Sequence, residues 1–89
     1  MVTAFVLIHC QGRDPHEVGA ELSKLAGVTE LHLVAGEYDL VVVVRVADNQ
    51  SLSQLVTRQI VRAQGVARTK TLFALESFSQ FDLNSMFGA

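Results

Sequence analysis

Four runs rich in β-branched residues, helix-period apolar stripes between the first two and last two, and a short turn joining the middle runs predict an α+β domain. The order is β-α-β-β-α-β, the ferredoxin-like arrangement: a four-stranded antiparallel sheet with both helices on one face. At 89 residues there is room for one domain, read as residues 1–78, with a tail at 79–89.

Val2–Cys10 is β-branched and aromatic and is stopped by Gln11–Gly12, which makes it the first strand. Asp14-Pro15-His16-Glu17 then starts a helix. Asp14 is placed to accept the N3 amide, Pro15 suits N1, and Glu17 completes a D-x-x-E capping box. Val18, Leu22, Leu25 and Ala26 supply its buried stripe, and Gly27 its C′ residue. Val28–Ala35 is the second strand, Gly36-Glu37 the turn and Tyr38–Val46 the third strand. Asp48-Asn49-Gln50-Ser51 offers N-caps for a second helix, with Leu52, Leu55, Val56, Ile60 and Ala63 as its stripe and Gly65 at its end. Val66–Phe78 is the fourth strand. Phe78, Phe81, Met86 and Phe87 at the C-terminal end are either an arm that docks on a neighbouring copy or a frayed end.

Composition points to a covered surface. Apolar residues make up 49% and charged ones 18%, against roughly 25% charged in an average protein. A small domain has proportionally more surface and should need more charge. The strands say where the cover goes. Phe5 and Leu7 point one way while Ala4, Val6 and Ile8 point the other, and Leu40, Val42 and Val44 oppose Val41 and Val43. Helices cover one face only, so a partner's sheet is expected on the other, giving a dimeric α+β barrel. Replacing a sheet residue such as Val42 with Asp is expected to dissociate it, because a carboxylate would be buried.

Several function classes drop out. Net charge is −2 and the seven basic residues are scattered, so no direct nucleic-acid partner is expected. An RNA-recognition domain shares the element order but needs stacking aromatics where the third strand has valines. No apolar run approaches the ~18–20 residues of a membrane span. One cysteine allows no internal disulfide and fits a cytoplasmic protein. His9, Cys10, His16 and His32 do not have the converging spacing of a metal site, and the adjacent His9 and Cys10 diverge on a strand, so neither a metal nor a Cys–His nucleophile is expected. No cofactor motif is present.

What remains is a turn and a strand start. Gly36-Glu37-Tyr38-Asp39-Leu40 sets a phenol and a carboxylate beside a glycine turn, and Thr69 and Thr71 put two hydroxyls on one strand face. A carboxylate accepts hydrogen bonds from an ammonium, while hydroxyls and turn amides bind a carboxylate, a set that suits a free amino acid. The same residues also fit plain turn chemistry and β-propensity.

GEYDL and the later GVARTKT together resemble the effector-binding (RAM) domain of the Lrp/AsnC regulators, through Gly36, Tyr38, Asp39, Leu40, Gly65, Val66, Thr69 and Thr71. The resemblance covers residues 1 to about 78. It implies a sheet-to-sheet dimer, rings of dimers, and a free amino acid bound by Tyr38, Asp39, Leu40, Thr69 and Thr71, with Gly36 shaping the turn. Family members usually carry a helix-turn-helix domain, for which 89 residues leave no room, so a stand-alone, non-enzymatic sensor is expected, acting alone or by joining full-length regulators. The rival expectation is a small dimeric α+β barrel enzyme of monooxygenase or isomerase type.

Overall fold

The computed structural model of the chain describes residues 1–78; the predicted tail, 79–89, lies outside the described residues. The strands are β1 (Val2–Cys10), β2 (Val28–Leu33), β3 (Leu40–Val46) and β4 (Val66–Phe73), with helices α1 (Pro15–Leu22) and α2 (Asn49–Gln54). The sheet order is β2-β3-β1-β4, and every pairing is antiparallel, as the ferredoxin-like reading requires.

The pleat sorts the strands into two faces. Ala4, Val6, Ile8, Leu40, Val42 and Val44 are fully buried and pack with Val18 and Leu22 of α1 and Leu52 of α2. This is the helix-covered face. Val42 belongs to it at 0% exposure, so an aspartate there would wreck the core rather than probe a dimer. The open face carries Phe5, Leu7, Val41, Val43 and Leu72, aligned by the pairings Phe5↔Val43, Phe5↔Leu72 and Leu7↔Val41.

Element ends differ from the sequence reading for local reasons. Asp14 caps α1 by accepting the His16 amide, at N2 rather than N3. The helix stops at Leu22, short of Ala26, because the next amides tighten to i−3 partners (Leu25 to Leu22) and the Ser23 hydroxyl bonds the Ala20 carbonyl. Leu25 still packs on the core from that turn. Asp48 caps α2 through the Ser51 amide. The second helix continues as a π-helical segment, Leu55–Ile60, in which the Val61 amide reaches the Val56 carbonyl at 2.9 Å. The wider turn keeps both Leu55 and Ile60 buried. β2 ends at Leu33, β3 begins at Leu40 and β4 ends at Phe73, each shorter than its apolar run. Gly65, at φ 94°, leaves the helix where a Cβ would fall 2.7 Å from Arg13 Cβ and 2.8 Å from Val18 Cγ2.

Candidate functional site

β3 gives way to the Gly36–Asp39 turn just as β1 runs on to Cys10. Asp39 fills the gap. Its amide donates to the Ile8 carbonyl (2.8 Å), its carbonyl accepts from Val34 (2.9 Å), and its carboxylate Oδ2 accepts the Cys10 amide at 2.8 Å. The side chain thus stands in for the missing strand residue, at the point where the β1–β4 register shifts between His9 and Cys10. Oδ1 makes no hydrogen bond among the described residues, and the side chain is 35% exposed. Gly36 sits at φ 145° with open space around it, a conformation that side-chain-bearing residues rarely adopt. Tyr38 is half-buried, and Leu40 lies wholly in the core.

His9 flanks the carboxylate on the open face. Its Nδ1 is shielded from solvent 3.2 Å from Asp39 Oδ2, yet poorly aligned for a hydrogen bond, while the rest of the ring is open. Arg68 is its register partner on β4. A row of Asp39, His9 and Arg68 therefore closes one end of that face. The sequence reading did not include His9 in the site; the signal that it belongs there is the strand register, which a single sequence does not display.

Thr69 and Thr71 pair with Ile8 and Val6 and so project on the helix-covered side, opposite to Asp39. Thr71 lines a shallow groove of about 190 Å³ between α2 and β4, with Leu52, Ser53, Val56, Thr57 and Phe73. Across β1, Asp39 and Thr69 stand two strand spacings apart, about 10 Å. One chain brings Gly36, Tyr38, Asp39 and Leu40 together, and Thr69 with Thr71, but does not converge the two groups on one cavity.

Burial, and then the nearby Asp39 charge, push the Cys10 thiol upward in pKa, which disfavours a thiolate nucleophile. Among the described residues no three His, Cys, Asp or Glu side chains are grouped to hold a metal ion, and no helix is long and apolar enough to cross a membrane.

The profile of the Lrp/AsnC ligand binding domain matches residues 3–83, nearly the full chain. The chain belongs to this family. Among curated relatives, this Lrp/AsnC domain is 33% identical over 81 residues to an uncharacterised helix-turn-helix-type transcriptional regulator of Pyrococcus furiosus, covering 88% of the chain and 54% of the relative. It is 31% identical over 64 residues to the leucine-responsive regulatory protein of Salmonella typhimurium, covering 72% and 39%. The chain spans about half the length of the curated relatives it matches. Among solved structures, a protein from Thermus thermophilus is 40% identical with a TM-score of 0.83, covering 90% of this Lrp/AsnC chain and 100% of its own. The feast or famine regulatory protein from M. tuberculosis, complexed with L-methionine, is 31% identical with a TM-score of 0.77, covering 92% and 55%.

Proposed function

We propose that residues 1–78 form an effector domain that binds a free α-amino acid of the cytoplasmic pool, carries out no catalysis, and couples binding to self-association. The observation that carries this reading is the half-committed carboxylate of Asp39. One oxygen is locked to Cys10 and the other is unpaired and partly open. A fixed carboxylate is a preorganised acceptor for an ammonium, and charge-assisted bonds are roughly twice as strong as neutral ones. The turn amides beside Gly36 and the hydroxyls of Thr69 and Thr71 are the partners for the ligand carboxylate. Because the threonines stand about 10 Å away across β1 and project from the opposite face of the sheet, the site closes where two stacked pairs meet rather than within one pair. Binding and assembly are then linked, each favouring the other equally. The L-methionine held by the M. tuberculosis relative supports the ligand class.

Two copies are expected to stack through their open faces. The centre of that face is apolar and its edges are polar: Glu30, flanked by His32 at 3.3 Å and Arg45 at 4.0 Å, towards β2, and Arg68 and Lys70 on β4, the polar rim of an ordinary interface. Full-length family regulators are candidate partners for the same face.

A thermal-shift panel of the twenty amino acids tests the reading. A ligand at 100 times its Kd adds about 2.7 kcal/mol of stability, enough for a shift of several degrees. No shift with any of them at millimolar concentration overturns the proposal.

A further inference from the structure

We propose that the outer edge of β4 receives residues 74–78 of a second copy, in a reciprocal antiparallel exchange that joins one face-stacked pair to the next; the inference rests on the open-face pairing above. β4 ends the sheet, so among the described residues no strand lies on its outer side. The Ala74 amide donates to the Thr3 carbonyl at 3.0 Å, which sets the alternation along β4. Lys70 and Leu72 turn their backbone groups to β1, while Thr69, Thr71 and Phe73 turn theirs outward. Such an unpaired row of donors and acceptors is a template for another strand. The opposite edge, β2, is interrupted by a register shift between Val28 and Glu30, which blunts it.

Past Ala74 the chain bends at Leu75 and joins no ladder. Leu75 is 95% exposed and Phe78 89%, with Glu76 exposed between them. This segment cannot serve its own β4. With Ala74 held on Thr3, a tight reversal at Leu75 and Glu76 returns Phe78 only as far as Phe73. A second copy has no such limit, and pairing straightens the bend.

Matching the two surfaces sets the register. With a two-fold axis at Phe73, Leu75 stands opposite the partner's Thr71, Glu76 opposite the partner's Lys70 and Phe78 opposite the partner's Arg68. Alternation then turns Leu75 to the helix-covered side, and Glu76 and Phe78 to the open side. Leu75 enters the groove of about 190 Å³ between α2 and β4, walled by Leu52, Val56 and Phe73. A space of about 150 Å³ already takes a benzene-sized group. Glu76 meets Lys70, which forms no ion pair among the described residues. Phe78 offers its ring to a guanidinium. Sliding the register by two residues one way sets Glu76 against Leu72; sliding it the other way takes Leu75 past the groove to Thr69. Each contact occurs twice about the axis. The strip is narrow beside the roughly 1,200 Å² of a lasting interface, so it holds only copies already stacked through their open faces.

Disulfide trapping reads the register. Opposed residues that exchange hydrogen bonds in an antiparallel pair have Cα atoms about 5.5 Å apart, within the span of a disulfide. Phe73→Cys should oxidise to a two-chain species. Leu75→Cys, more exposed but opposite Thr71, should do so only when mixed with Thr71→Cys. Cys10 is buried and takes no part. Equal trapping of Phe73→Cys and Leu75→Cys alone, or none of Phe73→Cys, overturns the exchange. Light scattering gives a second measure. The wild type should exceed the mass of a two-chain pair, Glu76→Lys should fall back to that pair, and Glu76→Lys with Lys70→Glu should recover the larger mass. A wild type of only two chains, a Glu76→Lys protein as heavy as the wild type, or a double variant that stays a pair overturns the exchange and leaves the open-face pairing standing. A single-chain wild type overturns both.

Discussion

At the scale of the residue, Asp39 has two duties that different substitutions separate. Asp39→Ala removes the acceptor of the Cys10 amide and should cost about 1–3 kcal/mol of stability, the penalty for a buried donor left unpaired. Asp39→Asn keeps a carbonyl oxygen for that amide and removes only the charge. It should unfold in urea close to the wild type while losing amino-acid affinity about tenfold or more, in the 1.5–3 kcal/mol range of bonds to charged groups. Equal unfolding midpoints for the two variants would show that the Cys10 bond does not support the sheet. This structural duty was hidden in the sequence: the carboxylate and its amide are 29 residues apart, and either a turn or a ligand explains an aspartate after glycine. The helix caps were readable because their partners lie within three residues. Asp14 and Asp48 have pKa values held below the ordinary carboxyl value, first by the backbone amides of His16 and Ser51. A lowered folded pKa stabilises above the unfolded value and is lost as pH falls through the folded one. The difference in Tm between the wild type and Asp48→Ala should therefore persist at neutral pH and shrink below about pH 4.

At the scale of the element, the glycines at the two turns offer a matched comparison. Gly65→Ala meets both an unfavourable φ and the Arg13 and Val18 side chains, whereas Gly36→Ala meets only the unfavourable φ. The backbone term is about 1–2 kcal/mol, and forcing a methyl into packed atoms adds roughly 1–3 kcal/mol. Urea denaturation should rank Gly65→Ala well below Gly36→Ala; equal losses would mean that the helix end simply moves aside. Strand and helix identities were legible because period-2 and period-3.6 patterns are local. Their ends were less so. The run that forms β4 carries apolar residues as far as Phe78, but pairing with β1 ends near Thr3, so the backbone has no ladder to continue along. The π-helical segment leaves the stripe of Leu52, Leu55, Val56 and Ile60 intact, so it reads as ordinary helix until the Val61 amide is traced to Val56.

At the scale of the whole molecule, self-association is the outcome to measure. Val41→Asp places a carboxylate at the apolar centre of the open face, beside Leu7, without touching the helix-covered core. Light scattering should then report a mass near 9.7 kDa for the variant and a multiple of it for the wild type, with both keeping the same far-UV spectrum. A wild-type mass of 9.7 kDa would remove the stacked-sheet assembly, and with it the closed site. The two faces could not be told apart from sequence, since valines fill both; only the helices decide that Val42 lies inside and Val41 outside. The threonines show the same limit, because hydroxyls spaced two apart share a face without saying which.

The charge balance of the chain also bears on how quickly two copies find each other. Each carries a net charge of −2, so distant copies repel weakly, and Glu30, flanked by His32 and Arg45, offers the basic β4 edge no free acidic stretch to approach. That repulsion reaches only about 10 Å at 0.1 M ionic strength. Adding salt should speed the encounter slightly while leaving the lifetime of the formed pair, held by Phe5, Leu7, Val41 and Leu72, nearly unchanged.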